Sequence, residues 1–203
     1  MTPPQSEPAT LHGVFMRVHG VGVLLTGASG VGKSELALEL LARGHRLVAD
    51  DAPEFARRGA RVHGQCPPLL SGFLEARSLG ILNVRRLFGA RSVQSGSALD
   101  LLIALDVPEA RAETGLERLS GRRGSREVLG VAIPEVFIPI RLGHNLAVLV
   151  EAACRDLRLR RAWIVQQQKD LVEQRHAATL GHDARLDLGQ LGPSTRLDER
   201  DAN

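Results

Sequence analysis

One octapeptide limits what this chain can fold into more than any other feature. Gly27-Ala28-Ser29-Gly30-Val31-Gly32-Lys33-Ser34 fits the spacing G-x-x-x-x-G-K-[ST] in full. Glycines at this spacing let successive backbone N–H groups turn inward around phosphate oxygens, and the following helix offers its positive N-terminal end. Lys33 can reach the β and γ phosphates, and the Ser34 hydroxyl can ligate Mg²⁺. The motif needs an apolar strand before it and a helix after it. Val23-Leu24-Leu25 supplies the first, and residues 34–43 the second, with Leu36, Leu40 and Leu41 on one stripe and Gly44 placed to stop the helix. Residues 27–34 are thus the expected phosphate cradle of a nucleoside triphosphate site.

Strand-like patterns surround this unit. Val14, Met16 and Val18 alternate with Phe15 and Arg17, which predicts a strand ahead of the loop. Residues 46–49 predict a strand that ends in Asp50-Asp51, 16 and 17 residues after Ser34. A short β-α-β crossover would return that strand end to the phosphate loop. A carboxylate there can hold Mg²⁺ or accept a proton from an attacking hydroxyl. Segments 54–57 and 61–64 read as a hairpin about Gly59, and 73–77, 99–107 and 136–140 as further strands. Residues 109–127 are charged and Gly-rich and read as a mobile loop. A helix is expected over 145–161, continuing to about residue 177, with Arg155, Arg158, Arg160 and Arg161 making it basic. The expected organisation is a flexible leader over 1–9, one α/β domain over 10–177 built on a mixed sheet, and a disordered tail over 178–203.

Composition removes several classes. Five Phe, one Trp and no Tyr leave no stacking platform for single-stranded nucleic acid, and a net charge of +3 is no nucleic-acid signature by itself. The longest apolar runs, at 21–25, 101–105 and 146–150, fall far below the roughly 18 residues a membrane span needs. No secretory pattern opens the sequence, so a cytoplasmic protein with its two cysteines reduced is expected. The cations are almost all arginine, with Lys33 and Lys169 the only lysines, so a lysine inside a motif is unlikely filler. No Asn-Lys-x-Asp string reads guanine, and no later apolar strand ends in Asp-Glu as a motor's would. A compact phosphotransferase and a nucleotide-dependent regulatory module remain.

The wider pattern separates them. Leu11-His12-Gly13-Val14 precedes the loop, and Arg43-Gly44-His45-Arg46-Leu47-Val48-Ala49-Asp50-Asp51 follows it. Leu74-Glu75-Ala76-Arg77-Ser78-Leu79-Gly80-Ile81-Leu82-Asn83-Val84 and Pro139-Ile140-Arg141-Leu142-Gly143-His144-Asn145 come later. Over residues 11–160, in this order, the chain closely resembles the HPr kinase/phosphorylase family, bifunctional serine kinases of bacterial sugar-uptake control. The resemblance is to their catalytic domain, whose fold is similar to the nucleotide-binding part of phosphoenolpyruvate carboxykinase. The N-terminal domain of typical members has no counterpart in this sequence.

The resemblance implies ATP and Mg²⁺ as cofactors, the phosphocarrier HPr as acceptor, and a homo-oligomer, a hexamer in the family. It implies that His12 handles the transferred phosphate beside Lys33, and that the catalytic base lies in the Asp50-Asp51 pair, with the spacing favouring Asp51. It implies Glu75 as a magnesium ligand with Ser34. Arg118, in Glu117-Arg118-Leu119, would neutralise the phosphoryl group in flight, and Arg141 would serve phosphoserine removal. Leu142 and His144 replace a proline and an arginine of the family's dephosphorylation segment, and a neutral His lacks Arg's fixed charge and bidentate fork. Ser78 and Asn83 are milder departures. Kinase activity is therefore expected ahead of phosphorylase activity. A P-loop phosphotransferase for another acceptor and an ATP-binding regulatory module remain the alternatives.

Overall fold

The computed structural model describes residues 8–106, 122–141 and 143–187, with side chains described to residue 170. Strands β1 (Ala9–Thr10), β2 (Val14–Val18) and β3 (Val21–Thr26) lead into helix α1 (Lys33–Ala42) and strand β4 (Arg46–Ala49). The hairpin β5 (Glu54–Arg58) and β6 (Arg61–Gln65) follows, then β7 (Phe73–Ala76), β8 (Gly80–Asn83) and the short helix α2 (Val84–Phe88). Strands β9 (Gly96–Ala98), β10 (Leu101–Asp106), β11 (Arg123–Val128) and β12 (Val131–Pro139) precede helix α3 (Leu146–Asp187).

Six strands form the central mixed sheet in the order β11-β12-β10-β3-β2-β4. Strands β3, β10 and β12 run parallel, whereas β2 is antiparallel to both of its neighbours. The expected crossover from β3 through α1 to β4 is present, but it skips one position because β2 lies between the two strands. Alternation along each strand separates two cores. Met16, Val23, Leu25, Leu101 and Ile103 pack with Leu36, Leu40 and Leu41 of α1 and with Ala147, Val150 and Cys154 of α3. Phe15, Leu24 and Leu102 face the other way and pack with Phe55 and Val62 of the four-stranded sheet β1-β5-β6-β9. There Phe15 and Phe55 meet edge to face at 5.1 Å. Burying each such side chain contributes about 1.5–3 kcal/mol.

The end of α1 is encoded locally. Gly44, at φ 87°, donates its N–H to Leu41, and His45 donates its N–H to Leu40, the paired closure of a Schellman motif. Helix α3 starts under a side-chain cap, with Asn145 Oδ1 accepting the Val148 N–H at 3.0 Å.

Three expectations need correction. The end of the loop expected over 109–127 belongs to strand β11 (Arg123–Val128), because pairing with β12 supplies the hydrogen bonds while an edge position tolerates exposed charge. Strand β12 begins at Val131 rather than at residue 136. Pro134 within it pairs only towards β11, since contact with β10 begins at Glu135, so the missing N–H costs no central ladder bond. Helix α3 continues to Asp187, past the expected end near residue 177. Chain contacts divide the protein into a unit through Arg158 and a second unit from Leu159, the latter described here as the distal part of α3.

Candidate active site

The parallel direction of β3, β10 and β12 gathers the loops after them at one edge of the central sheet. Thr26, after which the phosphate loop begins, pairs with Ala104, and Asp106 pairs with Pro139. The antiparallel β2 starts at this same edge, since Val14 pairs with Leu25, and β4 ends there, since Phe15 pairs with Ala49. Residues 12, 27–34, 50–51 and 141 therefore emerge together from distant parts of the sequence.

The phosphate loop has the backbone its glycines predict. Gly27, Gly30 and Gly32 take φ values of 145°, 80° and 96°, and Gly32 caps α1 with no side-chain hydrogen bond to the helix. The first-turn N–H groups of a ten-residue helix thus face the loop without a capping side chain, as anion binding at a helix N-terminus requires. Lys33 Nζ curls back over the loop and donates to the Gly27 and Ala28 carbonyls, both at 3.0 Å.

Asp51 holds the most unusual backbone at this edge. Its φ of 60° is left-handed, a conformation that costs a non-glycine residue about 1–3 kcal/mol. The Ala52 N–H donates to the Asp50 carbonyl at 2.7 Å, closing a three-residue turn centred on Asp51. Segments 11–13 and 51–53 are stitched together by Leu11 N–H to the Pro53 carbonyl and Gly13 N–H to the Asp51 carbonyl. The stitching sets His12 Nδ1 3.8 Å from Asp51 Oδ1, both side chains 86% exposed. These two groups stand in solvent, where an incoming protein could reach them.

Asp50 points the other way. Its Oδ2 accepts the Glu75 N–H at 2.8 Å and so ties the β7-β8 hairpin to the sheet edge. Burial pushes the Asp50 carboxyl above its ordinary range. The Glu75 N–H opposes this, and the neighbouring Asp51 and Glu75 carboxylates add to it. Adjacent acids thus divide their tasks, one half-buried and positioning, the other exposed.

Arg77 is the residue that sequence reasoning missed. Its guanidinium donates to Ser29 Oγ at 3.1 Å and lies where a Cβ on Gly30 would be, 2.5 Å from the nearest nitrogen. The available signal was its place two residues after Glu75 at the end of a strand, hence on the same face. Arg141 follows β12 at the shared edge, its carbonyl accepting the His144 N–H at 3.2 Å. Arg118, with most of the expected loop, and Leu142 lie outside the described residues.

The donor chemistry fits a magnesium nucleotide. The glycine loop offers backbone N–H groups and a lysine to phosphates, while Ser34, Glu75 and Asp50 offer only hard oxygen donors of the kind Mg²⁺ takes. The described residues include no helix long and apolar enough to cross a membrane.

Comparison with known proteins agrees with this geometry. The family model "HPr Serine kinase C-terminal domain" matches residues 5–175. The chain is 54% identical over 148 residues to an HPr kinase/phosphorylase of Xanthomonas campestris pv. campestris (strain B100), covering 72% of this chain and 47% of that relative. It is 52% identical over 149 residues to the one from Xylella fastidiosa (strain M12), with the same coverage. The chain therefore spans about half the length of the curated relatives it matches. Among solved structures, the Hpr(Ser) kinase/phosphatase from Coxiella burnetii superposes with a TM-score of 0.74 at 32% identity, over 79% of this chain and 96% of that one. With the family model covering residues 5–175, a stretch that holds the phosphate loop, the paired acids and the mixed sheet, the chain belongs to the HPr serine kinase family.

Proposed function

We propose that this chain is an ATP- and Mg²⁺-dependent serine kinase catalytic domain, spanning residues 10–177, whose acceptor is the phosphocarrier HPr. The observation that carries the reading is the exposed Asp51, held in a strained turn beside His12 at the edge where the phosphate loop emerges. A carboxylate fixed there, open to solvent, suits a proton acceptor for a protein hydroxyl better than a structural charge, which would be buried and paired.

In this reading the amides of residues 27–34 and Lys33 hold the triphosphate, and Ser34 and Glu75 would hold Mg²⁺, which neutralises phosphate charge when bound. Asp51 takes the proton from the serine hydroxyl as its oxygen forms the new bond to the γ phosphorus, while the bond from that phosphorus to the β-phosphate oxygen breaks and ADP leaves. Lys33, His12 and Arg118 offset charge on the phosphoryl group in transit. Arg77, through Ser29 and Gly30, positions the loop. In the reverse sense phosphate attacks phosphoserine and pyrophosphate leaves, with Arg141 as the retained cation of that segment. His144 weakens this direction, since imidazole lacks a permanent charge. A cytoplasmic homo-oligomer, hexameric as in the family, completes the reading.

The test is transfer of γ-labelled phosphate from Mg²⁺-ATP to HPr, with Lys33→Ala enzyme and HPr lacking the target serine as controls. Label on HPr that both controls abolish supports the kinase. ATP binding with no label on HPr, under conditions where the chain is folded, removes HPr as acceptor.

A further inference from the structure

At the opposite end of β2 and β3 lies a second cluster that the proposed phosphotransfer does not use. His19 and Gly20 form the two-residue turn between these strands, with φ values of 47° and 80° and Val18 paired to Val21. Both central residues are left-handed, the geometry in which Asn-Gly is the favoured pair. A histidine at the first position keeps a strained backbone that asparagine fills more readily. Its side chain turns inward, to meet His45 from the Schellman turn after α1 and Glu151 from the first turns of α3.

The three groups converge on one carboxylate oxygen. His45 Nε2 lies 2.8 Å from Glu151 Oε1 and His19 Nε2 3.5 Å from the same atom, with the two rings edge to face at 4.7 Å. The other oxygen, Oε2, accepts from Arg43 at 3.4 Å. The donor atoms of all three side chains lie within 4.8 Å of one another. His19 Nε2 is buried and has no hydrogen-bond partner among the described residues, which for a buried nitrogen is a cost that calls for an explanation. His45 already satisfies this oxygen, and His19 Nε2 faces it without bonding it.

We propose that His19, His45 and Glu151 form a binding site for a divalent transition-metal ion of the zinc type, separate from the phosphate end of the sheet. Two imidazoles and one carboxylate are an established zinc donor set with a fourth position left open. Tetrahedral coordination at the usual bond lengths places donor atoms about 3.4 Å apart. The His19 contact already has that spacing, and the His45 contact reaches it by opening roughly half an ångström. Arg43 on the second oxygen orients the ligating carboxylate. An open surface groove of about 430 Å³ beside the cluster is lined by His19, His45, Gly44 and Arg43. Bound there, the ion would fasten the β2-β3 turn and the α1-β4 turn to the start of α3.

The test titrates the full chain, freed of metal by chelator and carrying no histidine tag, with Co²⁺ alone and then Zn²⁺ alone. The expected result is one Co²⁺ per chain with the strong visible bands of a tetrahedral site, displaced by Zn²⁺, and an unfolding midpoint that rises with Zn²⁺. His19→Asn, which suits the turn, should keep the native circular dichroism and weaken binding by more than about 100-fold, the upper end of what losing an outer-shell partner costs. Glu151→Gln should weaken it likewise. Absence of a tetrahedral signal from the wild-type chain overturns the proposal. So does a signal unchanged in His19→Asn, or Co²⁺ held only in the weakly coloured six-coordinate form expected of the carboxylates near the phosphate loop.

Discussion

The two ends of the central sheet use the same residue types for opposite purposes. At the phosphate end, His12 and Asp51 stand in solvent 3.8 Å apart, and backbone strain and turn hydrogen bonds hold them rather than packing. At the far end, His45 and Glu151 meet at 2.8 Å with their side chains 8% and 17% exposed, fixed by a helix stop on one side and by α3 on the other. Exposed charges in high dielectric contribute little to stability, so the first pair is free to be spent on chemistry. The second is mostly desolvated, and losing one partner leaves the other unsatisfied. A histidine–carboxylate contact read without its burial would not tell these cases apart.

The contrast is sharpest when each end is damaged separately. At the phosphate end, Lys33→Ala should lose phosphate transfer by about 10²–10³-fold, comparable to removing one preorganised donor from a transition state. Its unfolding midpoint should hold, because Lys33 bonds only exposed loop carbonyls and alanine favours the helix it opens. Parallel rate and thermal-melt measurements check both halves.

At the far end Glu151→Ala, which removes the acceptor of the His45 contact, should cost about 1–3 kcal/mol of stability through the partner left unsatisfied, seen as a lower urea midpoint at an unchanged slope. Acid should act on this end too. The Glu151 carboxyl is held below its ordinary pKa of 4.5, first by the hydrogen bond from His45. Its contribution is therefore complete above that value and is lost as pH falls through the lowered folded pKa. His19, a base held below its ordinary 6.5, mainly by burial, favours the neutral form when folded, so stability begins to fall as pH drops below that value. Both shifts have the same sign, and an unfolding series in metal-free buffer should show stability declining from about pH 6.5 downwards. Glu151→Gln should remove the part of the fall below pH 4.5 and, because the Glu151 charge raises the His19 pKa, should not soften the part above it.

The smallest effect expected is a gain. The Asp50 carboxyl is raised above its ordinary pKa chiefly by burial, so at neutral pH its charge opposes folding. Asp50→Asn keeps an oxygen for the Glu75 N–H and should stabilise the chain by about 0.5–2 kcal/mol while lowering transfer, the trade-off common at strained sites. A melt that drops instead would make Asp50 a structural anchor first.

What could be read from the sequence follows from how local each signal is. The phosphate loop, the Leu36–Leu40–Leu41 stripe, the Gly44 stop and the alternation through β2 depend on neighbours a few residues away, and all are present as read. Strand β11 was hidden because an edge strand borrows its order from β12 and shows no apolar alternation of its own. Arg77 carries no local signal of its task, since its contact with Ser29 spans 48 residues and depends on how the β7-β8 hairpin is tied down. The His19–His45–Glu151 cluster was invisible for the same reason. Its members are set by a hairpin turn, a helix stop and the start of a distant helix, and no spacing along the chain unites them.

Asp51→Asn tests the central claim most directly, with phosphate transfer to HPr and the unfolding midpoint measured on the same preparation. Asparagine tolerates the left-handed turn, so the account predicts a midpoint that is kept or slightly raised and transfer reduced by about 10²–10⁴-fold, the usual contribution of a general base. Transfer that survives the substitution, or that falls only in step with stability, would contradict it and return Asp51 to the role of a turn residue.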